Sequence, residues 1–323
     1  MNNHADPSGD RLARAQALEA RGEYLEALKL WRTLASDSKD AIILCQQART
    51  ARQLGFDTEA ERAFRAAIRA DRSLPGAYTG LAILLRAQGD ALQAVELLVK
   101  ASTLERSAGI STLLGAALVD LGRLDEAANA FQTALRIEPT YEEAYFNLAM
   151  LKTSTDAQQA EALFLKAIEL DPDYIFAHRE LGTLLNKSEP SAQAEYHLRR
   201  ALKLDPSDLW ARVHLGNLLW LRGDMSAGLV EFEQAAERHP DAAIPVCCIA
   251  NVYENQELWE EAEALYERAL TIEPDDSVVH MNYGRMLKRK GDKTAAETHL
   301  RAALLLDPDY EAARKLLDEL SQF

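Results

Sequence analysis

The chain has 323 residues, of which 48% are apolar, and a formal net charge of −15 with a pI near 5.0. Such an acidic balance argues against a nucleic-acid partner, because clustered Lys and Arg supply most of the affinity for phosphate backbones. The longest apolar runs fall far short of the roughly 20 residues that a membrane span needs. The cysteines are Cys45, Cys247 and Cys248, an odd count with an adjacent pair, so no disulfide framework is expected and a reduced, cytoplasmic compartment fits best.

Residues 1–7 read as disordered, and MNNHADPSGD has neither the basic start nor the apolar stretch of a secretory signal. From residue 8 a period sets in. Gly22, Gly55, Gly89, Gly122, Gly223 and Gly291 mark one point of each repeat, and Pro139, Pro172, Pro206, Pro240, Pro274 and Pro308 mark another. The prolines are spaced by 33, 34, 34, 34 and 34 residues. Proline cannot continue a helix and drives the residue before it out of the helical region, whereas glycine accepts the left-handed conformation that commonly closes one. Between these marks the pattern is helical: in IEPTYEEAYFNLAMLK, Tyr141, Ala144, Tyr145, Leu148 and Leu151 share one face at spacings of three and four. Each repeat is therefore predicted to be two antiparallel helices. The repeats run 8–40, 41–74, 75–107, 108–141, 142–174, 175–208, 209–242, 243–276 and 277–310.

Small residues recur where the helices must touch. The first-helix series is Ala15, Ala48, Ala82, Gly115, Ala149, Gly182, Gly216, Ala250 and Gly284, and the second-helix series is Ala27, Ala60, Ala94, Ala127, Ala160, Ala194, Gly228, Ala262 and Ala296. A large residue follows in each second helix: Trp31, Phe64, Leu98, Phe131, Phe164, Leu198, Phe232, Tyr266 and Leu300. The fifth repeat is one residue short and turns through Thr153–Asp156 without glycine; the sixth turns through Ser188-Glu189-Pro190 and the eighth through Gln256-Glu257-Leu258. Residues 311–323 carry an apolar stripe of Ala313, Leu316, Leu317 and Leu320, the pattern of a helix that caps an open end.

The registered small residues, turn glycines, paired alanines and closing prolines resemble the tetratricopeptide repeat family over roughly residues 8–310. The family's early tryptophan is largely missing, with Tyr78 and Tyr145 the nearest substitutes. The resemblance implies an all-α, right-handed α-solenoid superhelix of about nine helix pairs plus a capping helix. It implies that the first helices line a concave groove that grips an extended or helical segment of a partner.

Catalytic motifs are absent. Neither phosphate-binding glycine loop nor HExxH appears, and the histidines fall in different repeats without metal-ligand spacing, so no enzyme activity, cofactor or metal site is expected. His178 and His280 share one repeat position and read as packing residues; Cys247 and Cys248 read as structural.

By the resemblance, the inward positions are the second, fifth, ninth, twelfth and thirteenth of each repeat. In this sequence they supply Arg49, Arg52 and Arg86, then Phe146, Met150, Phe176, Arg179, Asn186 and Lys187. Trp210, Asn217 and Trp220 follow, then Asn251, Glu254 and Asn255, and finally Arg285, Lys288 and Arg289. Eight cations against four acids (Glu19, Asp120, Glu143, Glu254) predict a basic lining on an acidic molecule, suited to an acidic or neutral segment. Trp210, Trp220, Phe146 and Phe176 are the candidate anchors, with burial against the next repeat expected for Phe176 more than for Trp220. Asn217 and Asn251 stand 34 residues apart, similar to the asparagine ladder of O-GlcNAc transferase repeats but short. The carboxylate clamp of Hsp70/Hsp90 co-chaperones is not expected, since no three consecutive repeats supply its set. The expected function is a protein-interaction scaffold, the alternatives being a substrate-recognition or regulatory subunit of a separate enzyme such as a glycosyltransferase, or a sensor of peptides or small ligands. No membrane partner is expected.

Overall fold

Proline and glycine cut the chain into helices at the places their chemistry dictates. The computed structural model describes residues 7–188 and 191–321, and the chain divides into two compact units, residues 1–172 and 173–323. The expected disorder of residues 1–6 lies outside the described residues, while Pro7 is already the first residue of α1.

The N-terminal unit consists of α1 (Pro7–Ala20), α2 (Tyr24–Ser38), α3 (Ala41–Gln53), α4 (Asp57–Ala70), α5 (Pro75–Ala87), α6 (Ala91–Leu104), α7 (Ala108–Asp120), α8 (Leu124–Ile137), α9 (Glu142–Lys152) and α10 (Ala157–Leu170). The C-terminal unit consists of α11 (Ile175–Ser188), α12 (Ala192–Leu204), α13 (Leu209–Leu221), α14 (Met225–Arg238), α15 (Ala243–Asn255), α16 (Trp259–Ile272), α17 (Ser277–Lys290), α18 (Lys293–Leu306) and α19 (Glu311–Ser321). Within each unit every odd helix packs against the even helix that follows it, and successive pairs stack. The described residues contain no strand, and the fold is an all-α solenoid.

The ends of the helices follow from single residues. Glu138, Asp171, Asp205, Glu273 and Asp307 each precede a proline and each leave the helical region, all but Glu273 for extended backbone. Gly291 closes α17 at φ 99, where its own N–H and that of Asp292 return to the Leu287 carbonyl at 3.0 and 2.9 Å. The eighth repeat has no glycine at this point, and Glu257 takes the left-handed conformation there, at φ 58. Asp90, Asp156, Asp224 and Asp292 start the second helices, each carboxylate accepting from the N–H three residues on.

Packing within a pair is a large residue seated on a small one. A Cβ on Gly216 would stand 2.5 Å from the Phe232 ring, and one on Gly115 2.4 Å from the Phe131 ring. The large residues of the second helices, from Trp31 to Leu300, are all essentially inaccessible. Burying each such side chain contributes about 1.5–3 kcal/mol. At the last pair, Ala313, Leu316, Leu317 and Leu320 of α19 pack against Leu300 and Ala303, covering the open apolar face.

The position of the family tryptophan holds polar residues that reach back six residues. Tyr78 donates to the Arg72 carbonyl at 3.1 Å, Tyr145 to Pro139 at 3.2 Å, and Arg212 to Pro206 at 2.9 Å. These bonds satisfy carbonyls in turns where the helical ladder has ended.

Candidate functional site

In the C-terminal unit the first helices α11, α13, α15 and α17 enclose a cleft of about 650 Å³. Its wall is three rows of residues at a 34-residue period: Thr183, Asn217, Asn251 and Arg285; then Asn186, Trp220 and Glu254; then Lys187, Leu221, Asn255 and Arg289, with His214 beside them. Helices stacked in register bring residues one repeat apart into a line, so each row is one face position repeated along the stack.

One buried carboxylate organises the α15–α17 end. Glu254 Oε1 accepts from Arg285 Nε at 3.3 Å and Arg289 Nη1 at 2.8 Å; Oε2 accepts from Arg285 Nη2 at 2.9 Å and from the Tyr266 hydroxyl at 2.9 Å. Burial alone would raise the Glu254 pKa, but the hydrogen bonds and charge of Arg285, with those of Arg289 and Tyr266, hold it below the usual carboxylate range. Burial works against the Arg285 charge as well, and the bond to Glu254 more than offsets it, raising that pKa. The Tyr266 hydroxyl is pushed up by burial and by the facing Glu254. Arg285 also donates to Asn251 Oδ1 and Asn282 Oδ1, both at 2.7 Å. Arg289 lies over the Trp259 ring, 5.6 Å from its centroid.

At the α11 end the groups are less committed. The Asn186 Oδ1 is buried and accepts no hydrogen bond. Lys187 is exposed and has no acidic partner among the described residues. Trp220 is half-buried with its ring 6.4 Å from Phe232, and His214 lies beside the Trp210 ring at 6.2 Å.

Comparison with known proteins identifies this architecture. Tetratricopeptide repeat profiles match residues 45–104 and 179–243, residues 142–174, and residues 256–320, and a TPR repeat profile matches residues 115–152. The chain belongs to the tetratricopeptide repeat family. It is similar to Tetratricopeptide repeat protein 8 of Caenorhabditis elegans, 32% identical over 142 residues, a match that takes in 43% of this chain and only 28% of that relative. Among solved structures it resembles a tetratricopeptide repeat protein from Parabacteroides merdae (TM-score 0.66, 20% identity, 78% of this chain and 100% of that one). It also resembles a chain of the APC/C hetero-tetramer Cut9-Hcn1 (TM-score 0.62, 17% identity, 91% of this chain and 58% of that one) and yeast Tom70 (TM-score 0.55, 13% identity, 98% and 88%). At these identities the likeness is one of fold.

The tetratricopeptide cleft draws together nine of the residues named from the sequence: Asn186, Lys187, Asn217, Trp220, Asn251, Glu254, Asn255, Arg285 and Arg289. All sit at the ninth, twelfth or thirteenth position of a repeat. Thr183 and Leu221 occupy the same positions but were passed over because their side chains carry no distinctive chemistry; His214 lies off these positions. The other candidates of this unit lie outside the cleft. Arg179 pairs with Glu180 and Asp208, Lys288 pairs with Glu319 of α19, and Trp210 is 47% exposed. In the N-terminal unit Arg86 pairs with Asp120 at 2.5 Å, Arg49 and Met150 are exposed, Arg52 is half-buried, and Phe146 meets Phe164 at 5.8 Å.

Three expectations are corrected. Glu254, expected as an exposed inward acid, is a buried counter-ion with both oxygens filled that holds Arg285 and Arg289 in place. The basic excess predicted for the lining is smaller than the count of inward positions gave, because Arg179 and Lys288 meet acids outside those positions, Arg179 with Glu180 and Asp208 and Lys288 with Glu319. Phe176 is 51% exposed beneath the Arg179 guanidinium, more open than half-buried Trp220, the reverse of the expected order.

The expectation that the histidines stand in different repeats is also corrected, since two pairs share a repeat, His178 with His197 and His280 with His299. His178 Nδ1 meets His197 Nδ1 at 2.9 Å, and His280 Nδ1 meets His299 Nδ1 at 3.0 Å, each across one helix pair. The signal was present: both pairs are 19 residues apart, and Arg212 and Glu231 form an ion pair at the same offset. Among the described residues no three His, Cys, Asp or Glu come together to hold a metal, and no helix is long and apolar enough to cross a membrane.

Proposed function

We propose that this tetratricopeptide protein is an interaction scaffold and that the cleft on α11, α13, α15 and α17 grips an extended segment of a partner protein. The observation that carries this reading is the cleft's composition. Trp220 and Leu221 offer apolar surface, Leu221 being 65% exposed, between the amides of Asn186, Asn217, Asn251 and Asn255. Aromatic anchors flanked by amides suit a backbone, which presents donors and acceptors alternately and apolar side chains between them. Among the described residues no arrangement of nucleophile, base and oxyanion donors stands in the cleft, which favours binding over catalysis. The Hsp-type carboxylate clamp is disfavoured because Asn282 spends its amide on Cys247 Sγ and Arg285.

The test is site-directed photo-crosslinking in the native lysate, with the crosslinker at Leu221 in the cleft and, as a control, at Leu305, which is 83% exposed on α18. A partner captured from position 221, absent from position 305 and lost in Trp220→Ala and Asn217→Ala supports the proposal. Capture from both positions that survives those substitutions would place binding elsewhere.

A further inference from the structure

We infer that the segment held in this cleft carries a carboxylate, seated at the Arg285–Arg289 end, with its backbone running past Asn217 toward Asn186. The inference rests on the cleft being the binding site and adds the ligand's charge and direction. At one end, two guanidiniums share the single Glu254 carboxylate, whose oxygens are already filled, so the three groups together keep one net positive charge. Asn251 reinforces this polarity. Its Oδ1 accepts from Arg285 at 2.7 Å and shares the Tyr266 hydroxyl proton at 2.6 Å. A guanidinium has no acceptor, so the amide cannot flip, and Asn251 must turn its NH2 group to the cleft. Asn251 therefore offers the cleft donors alone. At the opposite end the buried Asn186 Oδ1 lacks a donor among the described residues, an unmet desolvation cost that a ligand backbone N–H would offset once the amide turns into the cleft. Donors at one end and an unfilled acceptor at the other select a ligand with a carboxylate at the first and an N–H at the second. A cationic segment seated the same way would set its charge on the guanidiniums.

The experiment selects a random dodecapeptide display library on the full chain and measures binders by fluorescence anisotropy. Binders that weaken against Trp220→Ala are cleft binders. Each is resynthesised with every Asp and Glu changed to its amide, and with the C-terminal carboxylate amidated. Neutralising one carboxylate is expected to cost about tenfold or more, the size of a charge-assisted hydrogen bond. Asn251→Asp keeps the oxygens that Tyr266 and Arg285 use but removes the NH2 donors. It should weaken the charged peptide by a similar factor and the neutralised one by clearly less; Arg289→Gln provides a second such variant. Cleft binders indifferent to every neutralisation would overturn the carboxylate inference and leave the cleft standing. Selection that yields no Trp220-sensitive binder would overturn the cleft reading, and the inference with it.

Discussion

Acid should loosen the α11–α12 pair in a pH window set by His197. Its pKa is lowered to about 4 by burial and by the facing His178, whereas an unfolded histidine titrates near 6.5. As pH falls below 6.5 the unfolded chain takes a proton that the folded pair refuses, so folded stability drops, and the loss is complete only below about pH 4. At pH 5 the gap of about 1.5 units from the unfolded value corresponds to about 2 kcal/mol, with nearly nothing lost at pH 7.5. The depressed carboxylates, such as Glu195 and Glu254, weaken the fold only as pH falls below their ordinary value of 4.5, which makes the interval from 7.5 to 5 specific to histidine. Solenoids open locally, so the assay is hydrogen exchange of α12 amides at the two pH values, corrected for intrinsic rates. His197→Gln retains a hydrogen-bonding group opposite His178 and removes the titration. Wild type should lose about 2 kcal/mol more than the variant between the two pH values. Equal losses would refute the reasoning.

Three further substitutions test the frame around the cleft. Glu254→Gln should cost about 2–3 kcal/mol in chemical denaturation, the low end for breaking a buried pair, because Arg285 and Arg289 are 36% and 42% exposed and water takes over part of their charge; a loss under about 0.5 kcal/mol would contradict the keystone role. Gly228→Ala should lower the thermal midpoint by the equivalent of about 1–3 kcal/mol. Its Cβ would stand 2.8 Å from the Gly216 carbonyl oxygen, which cannot rotate away as a side chain can, and an unchanged midpoint would show slack between α13 and α14. Glu257→Gly should raise the midpoint modestly, by about 0.5–1 kcal/mol, since the left-handed cost of about 1–2 kcal/mol outweighs the extra freedom of glycine in the unfolded chain. A lower midpoint would mean that the Glu257 side chain contributes something the turn geometry does not show.

The helices were legible because each depends on one or two residues whose conformational rules are strict. Pre-proline residues cannot stay helical, and a small residue opposite Phe131 or Phe232 is compulsory where a Cβ would enter the ring. The cleft was legible for a related reason: a fixed period carries one inward position from helix to helix, so Asn217 and Asn251 fall in line whatever their side chains are. Pairing was not legible. Arg285 and Glu254 are 31 residues apart, and Lys288 and Glu319 are 31 apart, separations at which either ion could as well have faced solvent. Composition counts such charges singly, whereas the energetics depend on which ones share an oxygen. The His178–His197 contact failed to show for the opposite reason, since a histidine at a packing position is read as apolar filler until its opposite number 19 residues on is examined.

These two kinds of position divide the molecule's chemistry between stability and recognition, and Glu254 is where the division breaks down. Rows such as Ala194, Gly228, Ala262 and Ala296 tolerate little change because backbone stands close behind them; a Cβ on Gly228 has nowhere to go. The cleft rows carry no such duty, and the same ninth position reads Thr183, Asn217, Asn251 and Arg285 in four successive repeats. Where neighbours in a row do not touch, recognition can therefore change one repeat at a time with little cost to the stack, because substitutions at separated, non-contacting sites act nearly independently; Asn251 and Arg285 do touch and change together. Glu254 is the exception, since it stands in a cleft row yet is buried, bonded to Tyr266 of the core and to both guanidiniums of α17. A substitution there alters stability and ligand charge together, so affinity lost in Glu254 variants is uninterpretable without a matched unfolding measurement. Arg289→Gln changes the cleft's charge without touching the Glu254–Arg285 and Glu254–Tyr266 contacts, whereas Asn251→Asp sets a second carboxylate against Arg285 and Tyr266 and needs the same unfolding control before specificity is read from it.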